Sequence, residues 1–193
     1  MTHKDDYLYE LDLSYDSSKL KKELIDLKLE PYFTKFTDWA EYYKVNTDPA
    51  NSFEEPDGWT VADVPITHGT EINAMYEQVK ELIGANDVLI SVTRQKANTD
   101  VSIHNDRIPE QMLEMFPEIP QIQCAINLQL NNPVGPIDFP SLGSLETYKC
   151  AILNVLEDHG VPAFETDRYF IKFIILDVSY KEAINNYLRN KRD

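Results

Sequence analysis

Positive charge is scarce in this 193-residue chain: 18 Lys and Arg stand against 33 Asp and Glu, a formal net charge of −15. That balance could not release counterions from a polyanion on any scale, so neither nucleic acid nor an anionic membrane surface is expected as a partner. Long apolar runs are missing too, and no stretch reaches the roughly 18 residues of a spanning helix. The cysteines are two, Cys124 and Cys150, each inside an apolar run. They suit buried free thiols rather than a disulfide framework or a paired-cysteine zinc site. Six scattered glycines form no phosphate-cradling loop. The polar, acidic opening Met1-Thr2-His3-Lys4-Asp5-Asp6 lacks the basic-then-apolar order of a secretory leader, and a cytoplasmic location is the expectation. Apolar and aromatic residues are plentiful, at 42% and 11%. That is too rich for a disordered acidic segment and enough for a core.

Residues 1–193 read as a single domain in three parts. Residues 1–85 form a mixed helical and strand support. There Leu20, Leu24 and Leu27 keep helical spacing behind Ser17-Ser18, with Pro31 as the stop. Tyr32, Phe33, Phe36, Trp39, Tyr42 and Tyr43 suit one helical stripe, and Asn46 to Gly58 reads as a surface loop. Thr70 to Ile83 is the clearest helix, closed by Gly84. Over 86–178 the period turns alternating, with strands at 88–93, 121–130, 148–156 and 169–178 and a Pro- and Gly-bearing loop from Asn131 to Ser144. Residues 179–193 form a short C-terminal helix opening on the capping box Ser179-Tyr180-Lys181-Glu182. The order predicts an α+β, mainly β fold: a small barrel or sandwich with N-terminal helices and one C-terminal helix.

The chemistry-bearing residues are few. His104-Asn105-Asp106 follows the strand-like Val101-Ser102-Ile103. On an extended chain i and i+2 share a face, so His104 and Asp106 can reach one metal, two-thirds of a 2-His-1-carboxylate set for non-haem iron. Alone the pair is weak, since about 0.7 His-x-acid matches are expected by chance from this composition. His3-Lys4-Asp5 is such a match, at a terminus with no strand before it. Downstream context separates the two. His159 follows an apolar strand at a Gly160-Val161-Pro162 turn, and nine residues on Arg168 opens the apolar run Tyr169 to Ile175. An arginine entering such a strand needs an anionic partner, either a surface acid such as Asp167 or Glu165 or a small dicarboxylate held in its fork.

His104-x-Asp106, then His159, then Arg168 resembles the Fe(II)/2-oxoglutarate-dependent oxygenases. The phrase His159-Gly160-Val161-Pro162 through Asp167-Arg168-Tyr169-Phe170 is similar to their closing segment. The resemblance covers roughly residues 87–178 and points toward small stand-alone members related to aspartyl/asparaginyl and prolyl hydroxylases. It implies a double-stranded β-helix (a jelly-roll or cupin-like barrel). It implies His104, Asp106 and His159 as Fe(II) ligands and Arg168 as partner of the far carboxylate of 2-oxoglutarate. The activity implied is hydroxylation of a small-molecule or peptide substrate with O2, releasing succinate and CO2.

Three departures matter. Phe170 stands where many members carry a Ser or Thr, so the co-substrate contact made there would come from Tyr148 or the polar Asn127, or be absent. Lys172 shares strand parity with Arg168 and is a rival anchor. Asp106 points away from the aspartyl hydroxylase subgroup proper, which tends to lack the carboxylate ligand. The loops from Arg107 to Pro120 and from Asn131 to Ser144 are the expected substrate rim, and Arg94 and Arg107 read either as lining the mouth or as exposed strand-end charges. From a different class, a non-catalytic barrel would keep the fold and use Tyr32 to Tyr43 as a partner surface. A cupin-type metal enzyme needing no 2-oxoglutarate is the third reading.

Overall fold

The computed structural model describes residues 3–25, 27–31, 59–108, 110–115 and 117–191. The aromatic stripe Tyr32 to Tyr43 and the loop Asn46 to Gly58 lie outside them.

The order begins β1 (Leu8–Glu10), α1 (Ser17–Leu24), β2 (Glu30–Pro31), β3 (Trp59–Asp63) and α2 (Thr70–Ile83). The side chain of Asp16 caps α1 by accepting from the Ser18 and Lys19 amides. The helix stops at Leu24, well short of Pro31. Proline disfavours helical backbone at the residue before it, and Glu30 and Pro31 instead pair with Val61 and Thr60 of β3. In α2, Ile72, Met75, Val79 and Ile83 are buried at helical spacing, and Gly84 ends it at φ 68° with its amide on the Lys80 carbonyl. Its N-terminus has no local side-chain cap. Glu23 of α1 supplies one from a distance, accepting from the Glu71 and Ile72 amides at 2.9 and 3.0 Å. A Cβ on Gly69 would stand 2.2 Å from that carboxylate, so glycine is what lets it approach.

Next come β4 (Val88–Gln95), β5 (Val101–His104), α3 (Glu110–Met115), β6 (Cys124–Gln129), β7 (Pro136–Phe139), β8 (Ser144–Thr147), β9 (Cys150–Leu153), β10 (His159–Val161), β11 (Arg168–Ile175) and α4 (Tyr180–Asn190). Ser179 opens α4, its amide and hydroxyl both donating to Glu182. Two antiparallel sheets result, of order β1-β9-β6-β11-β4-β3-β2 and β5-β10-β7-β8. So the N-terminal part adds three strands to the large sheet, where helices dominate the sequence reading.

β11 shows how the layers are built. Ile171, Phe173 and Ile175 share a buried cluster with Ile90, Val92, Ile126, Leu128 and Ile152 of neighbouring strands and with the inner faces of α2 and α4. Arg168, Phe170 and Lys172 alternate to the opposite face. A second cluster joins Leu8, Ala125, Ala151 and Leu153 of the large sheet to Ile137 and Phe139 of the small one. The large sheet is therefore covered on both faces, by helices on one and by the small sheet on the other.

Three expectations need correcting. Asn131 to Ser144 is not one loop, because β7 runs through it and returns as β8 after a turn at Gly143 (φ 69°). Pro136 hides the strand, but it sits at the first position, where the missing N–H is tolerated. Arg107 to Pro120 contains the short helix α3. His159 is not in a turn; it starts β10, a three-residue strand held by partners on both sides. Cys124 and Cys150 are buried and free, and burial pushes both thiols up to about 12.

Candidate metal centre

β5 and β10 are antiparallel, and their register sets His159 directly opposite His104. Asp106 lies two residues past His104, its amide on the Val155 carbonyl at 2.8 Å. The imidazole centroids are 4.5 Å apart. One donor atom from each of His104, Asp106 and His159 lies within 4.8 Å of the other two. The tautomers follow from the backbone. His104 Nδ1 is 2.8 Å from the Ser102 carbonyl and His159 Nδ1 is 2.9 Å from that of Glu157. A carbonyl only accepts, so each Nδ1 carries the proton and each Nε2 keeps its lone pair for a metal.

Charge favours the same state. Burial would raise the Asp106 carboxyl, yet Lys172, His159 and His104 together hold it below the usual range, so it is ionised. Burial lowers His159 against the pull of Asp106, so its imidazole is neutral near pH 7. Two imidazoles and one carboxylate suit a divalent metal that keeps open positions. His68 bonds the Glu23 carbonyl at 2.6 Å, and His3 is exposed. Neither joins the cluster.

Arg168 opens β11 and is 1% exposed. Its Nη2 donates to the Pro136 carbonyl at 3.0 Å and, longer, to Gln129 Oε1 at 3.4 Å. Nε and Nη1 are buried with no hydrogen-bond partner. Phe170 and Phe164 lie under the guanidinium, with ring centroids 4.8 and 5.5 Å away. Burial pushes this arginine down to about 10, with Tyr148 opposing. The ion-pair alternative fails because Asp167 is taken by Arg94, at 2.9 and 2.6 Å, and by the Ala97 amide. Arg168 is a buried cation without an anion among the described residues.

The other expected contacts line the same interior. Asn127 Nδ2 donates to the Tyr148 hydroxyl at 3.4 Å, and Asn127 Oδ1 is buried without a partner. Burial first of all pushes Tyr148 up to about 12, so it is a neutral phenol. Lys172 sits beside Asn127 in the sheet register, and its Nζ is 2.8 Å from Asp106 Oδ2. The expected rival anchor therefore stands against the carboxylate of the cluster. Arg107 donates to the Leu156 carbonyl at 2.7 Å and Arg94 holds Asp167, so both stitch loops.

Gln129 and Gly135 escape a sequence reading. The Gln129 amide clamps Gly135, donating to its carbonyl at 2.9 Å and accepting from its N–H at 2.8 Å. A Cβ on Gly135 would stand 2.4 Å from Arg168 Nε. The available signal was a polar residue in an otherwise inward-facing strand, too common to single out.

No protein-family model matches the sequence, and no curated protein matches it. Solved structures do resemble the fold. A prolyl hydroxylase from Trichoplax adhaerens, solved with a peptide fragment of the hypoxia inducible factor oxygen degradation domain, aligns at TM-score 0.52 and 13% identity. The alignment covers 88% of this chain and 91% of that one. The chain has a double-stranded β-helix fold. A viral collagen prolyl hydroxylase from Paramecium bursaria Chlorella virus-1, solved as a 2OG complex, is similar at TM-score 0.49 and 14% identity, over 63% and 81% of the two chains. A Pseudomonas putida prolyl-4-hydroxylase follows at 0.47 and 11%, over 83% and 98%. In this double-stranded β-helix His104, Asp106 and His159 stand on or just beyond the small sheet. Arg168, Asn127 and Lys172 face them from the large one.

Proposed function

We propose that the protein is an Fe(II)- and 2-oxoglutarate-dependent oxygenase, a hydroxylase of a small-molecule or peptide substrate. One observation carries this reading: the interior that faces His104, Asp106 and His159 also holds a buried guanidinium with two unpartnered donors. A metal site alone would not need Arg168, and a packed core would not tolerate it unpaired. Both orphaned nitrogens are donors and fit the carboxylate of a small dicarboxylate in the barrel.

His104 and His159, through Nε2, and Asp106 would hold Fe(II) on one side. The guanidinium of Arg168 would grip the distal carboxylate of 2-oxoglutarate, with the Tyr148 phenol and Asn127 amide beside it. When bound, the two groups supply O2 activation and substrate oxidation, with succinate and CO2 as co-products. The protein orients them and, with Phe139, Phe164 and Phe170 around the polar groups, limits water. A prolyl hydroxylase of this fold was solved with a peptide, which supports a peptide as one substrate class.

Anaerobic titration tests the reading. Fe(II) followed by 2-oxoglutarate should produce a metal-to-ligand charge-transfer band in the wild type. Asp106→Ala should lose most iron binding, and Arg168→Ala should keep iron but need at least about tenfold more 2-oxoglutarate for the band. No band at saturation in the wild type refutes the assignment.

A further inference from the structure

Asp106 presents its two oxygens to different groups. Oδ1 faces His104, 3.6 Å from Nε2 on the side where the imidazoles converge. Oδ2 is held at 2.8 Å by the ammonium of Lys172. That ammonium comes from the opposite sheet, from a strand paired over its whole length with β4 and over six residues with β6. The pair is sheltered, with side-chain exposures of 24% and 15%. A carboxylate free at both oxygens can chelate a divalent metal through the pair and occupy two positions. A 2-His-1-carboxylate centre works only if the carboxylate takes one, because the remaining positions must receive a bidentate co-substrate and oxygen.

We infer that Lys172 is a positioning residue which commits Asp106 to metal through Oδ1 alone and so keeps a coordination position open for the co-substrate. The inference rests on the iron-site reading above. Two consequences have opposite signs. An acceptor behind a metal ligand strengthens its donation; a cation behind it does the reverse and also repels the metal. Removing the ammonium should therefore tighten metal binding. It should also weaken 2-oxoglutarate, since a chelating carboxylate would fill the position and a nearby positive charge would be gone. A merely structural lysine would weaken both or neither.

Aerobic Co(II), which gives a visible spectrum sensitive to coordination number, is the probe. Affinities for Co(II), and then for 2-oxoglutarate on the Co(II)-loaded protein, are measured by calorimetry. Lys172→Met should bind Co(II) roughly tenfold tighter and 2-oxoglutarate roughly tenfold more weakly. Lys172→Arg keeps the charge and should hold both values near wild type. Lys172→Leu, which removes both donor and charge, repeats the Met pattern if the Met variant folds poorly by circular dichroism. Unchanged or weaker Co(II) binding in both neutral variants, unchanged 2-oxoglutarate binding, or an Arg variant that behaves like Met overturns the role of Lys172. A wild type that binds no Co(II) overturns the metal centre itself, and that result is seen before any variant is made.

Discussion

Arg168 concentrates the cost of this site in one side chain. A guanidinium at 1% exposure with two unpartnered nitrogens is held by one good carbonyl contact, one long amide contact and two aromatic faces. Replacing a buried ion pair by apolar residues of similar volume is often neutral or stabilising, by about 1–4 kcal/mol, and here no partner ion among the described residues offsets the desolvation. Arg168→Met should thus raise the melting temperature of the ligand-free protein. It should also abolish any further rise that 2-oxoglutarate gives the wild type. Thermal unfolding with and without the dicarboxylate reads both, and a lower melting temperature in the absence of ligand would mean that the existing contacts outweigh the desolvation. Arg168 was legible because a charge opening an apolar strand demands a reason. Its neighbours were not. Nothing in the sequence says that Gly135 lies against the guanidinium or that Gln129 holds the loop there, since both contacts depend on how β6 and β7 meet. Gly135→Ala should displace the guanidinium and weaken 2-oxoglutarate binding at least about tenfold, while leaving Co(II) binding unchanged by calorimetry.

Among the elements, α2 depends on a residue outside it. Glu23 caps its first turn across a glycine, and the carboxyl is lowered: burial raises it, but the Glu71 and Ile72 amides outweigh that. The folded value lies below the ordinary 4.5. The cap therefore stabilises at pH above about 4.5, and the contribution is lost as pH falls through the folded value. Glu23→Gln should cost roughly 0.5–2 kcal/mol at pH 7, less if the amide still accepts. The gap to wild type should close on acidification, as denaturant titrations at several pH values would show. α2 itself was readable from its own periodicity and Gly84. The length of α1 was not, because apolar spacing continues to Leu27 while Pro31 and the pairing of Glu30 with β3 turn the chain out of helix. β7 and β10 were unreadable for a related reason. Three or four residues give too little alternation to register, and partners on both sides supply the order that propensity does not.

Across the whole molecule, burial on both faces of the large sheet governs reactivity as well as packing. Cys124 and Cys150 lie in that layer with thiols raised to about 12. Neither should react with a thiol reagent at pH 8 in the native state, and both should react at once in denaturant; rapid labelling of the folded protein would contradict their placement.

Residue types and short-range spacing determined the acidic, core-forming character of the chain. They also determined the α2 and α4 helices, the long strands, and the pairing of His104 with Asp106, since i and i+2 share a face wherever the backbone is extended. Tertiary structure alone decided that His159 meets them, that Arg168 is buried without an anion among the described residues, and that Lys172 takes the second oxygen of Asp106. The first is a matter of register between β5 and β10 in the small sheet, and the other two of how that sheet meets the large one. Distance between facing sheets is set by the summed packing of two cores, not by any local run of residues.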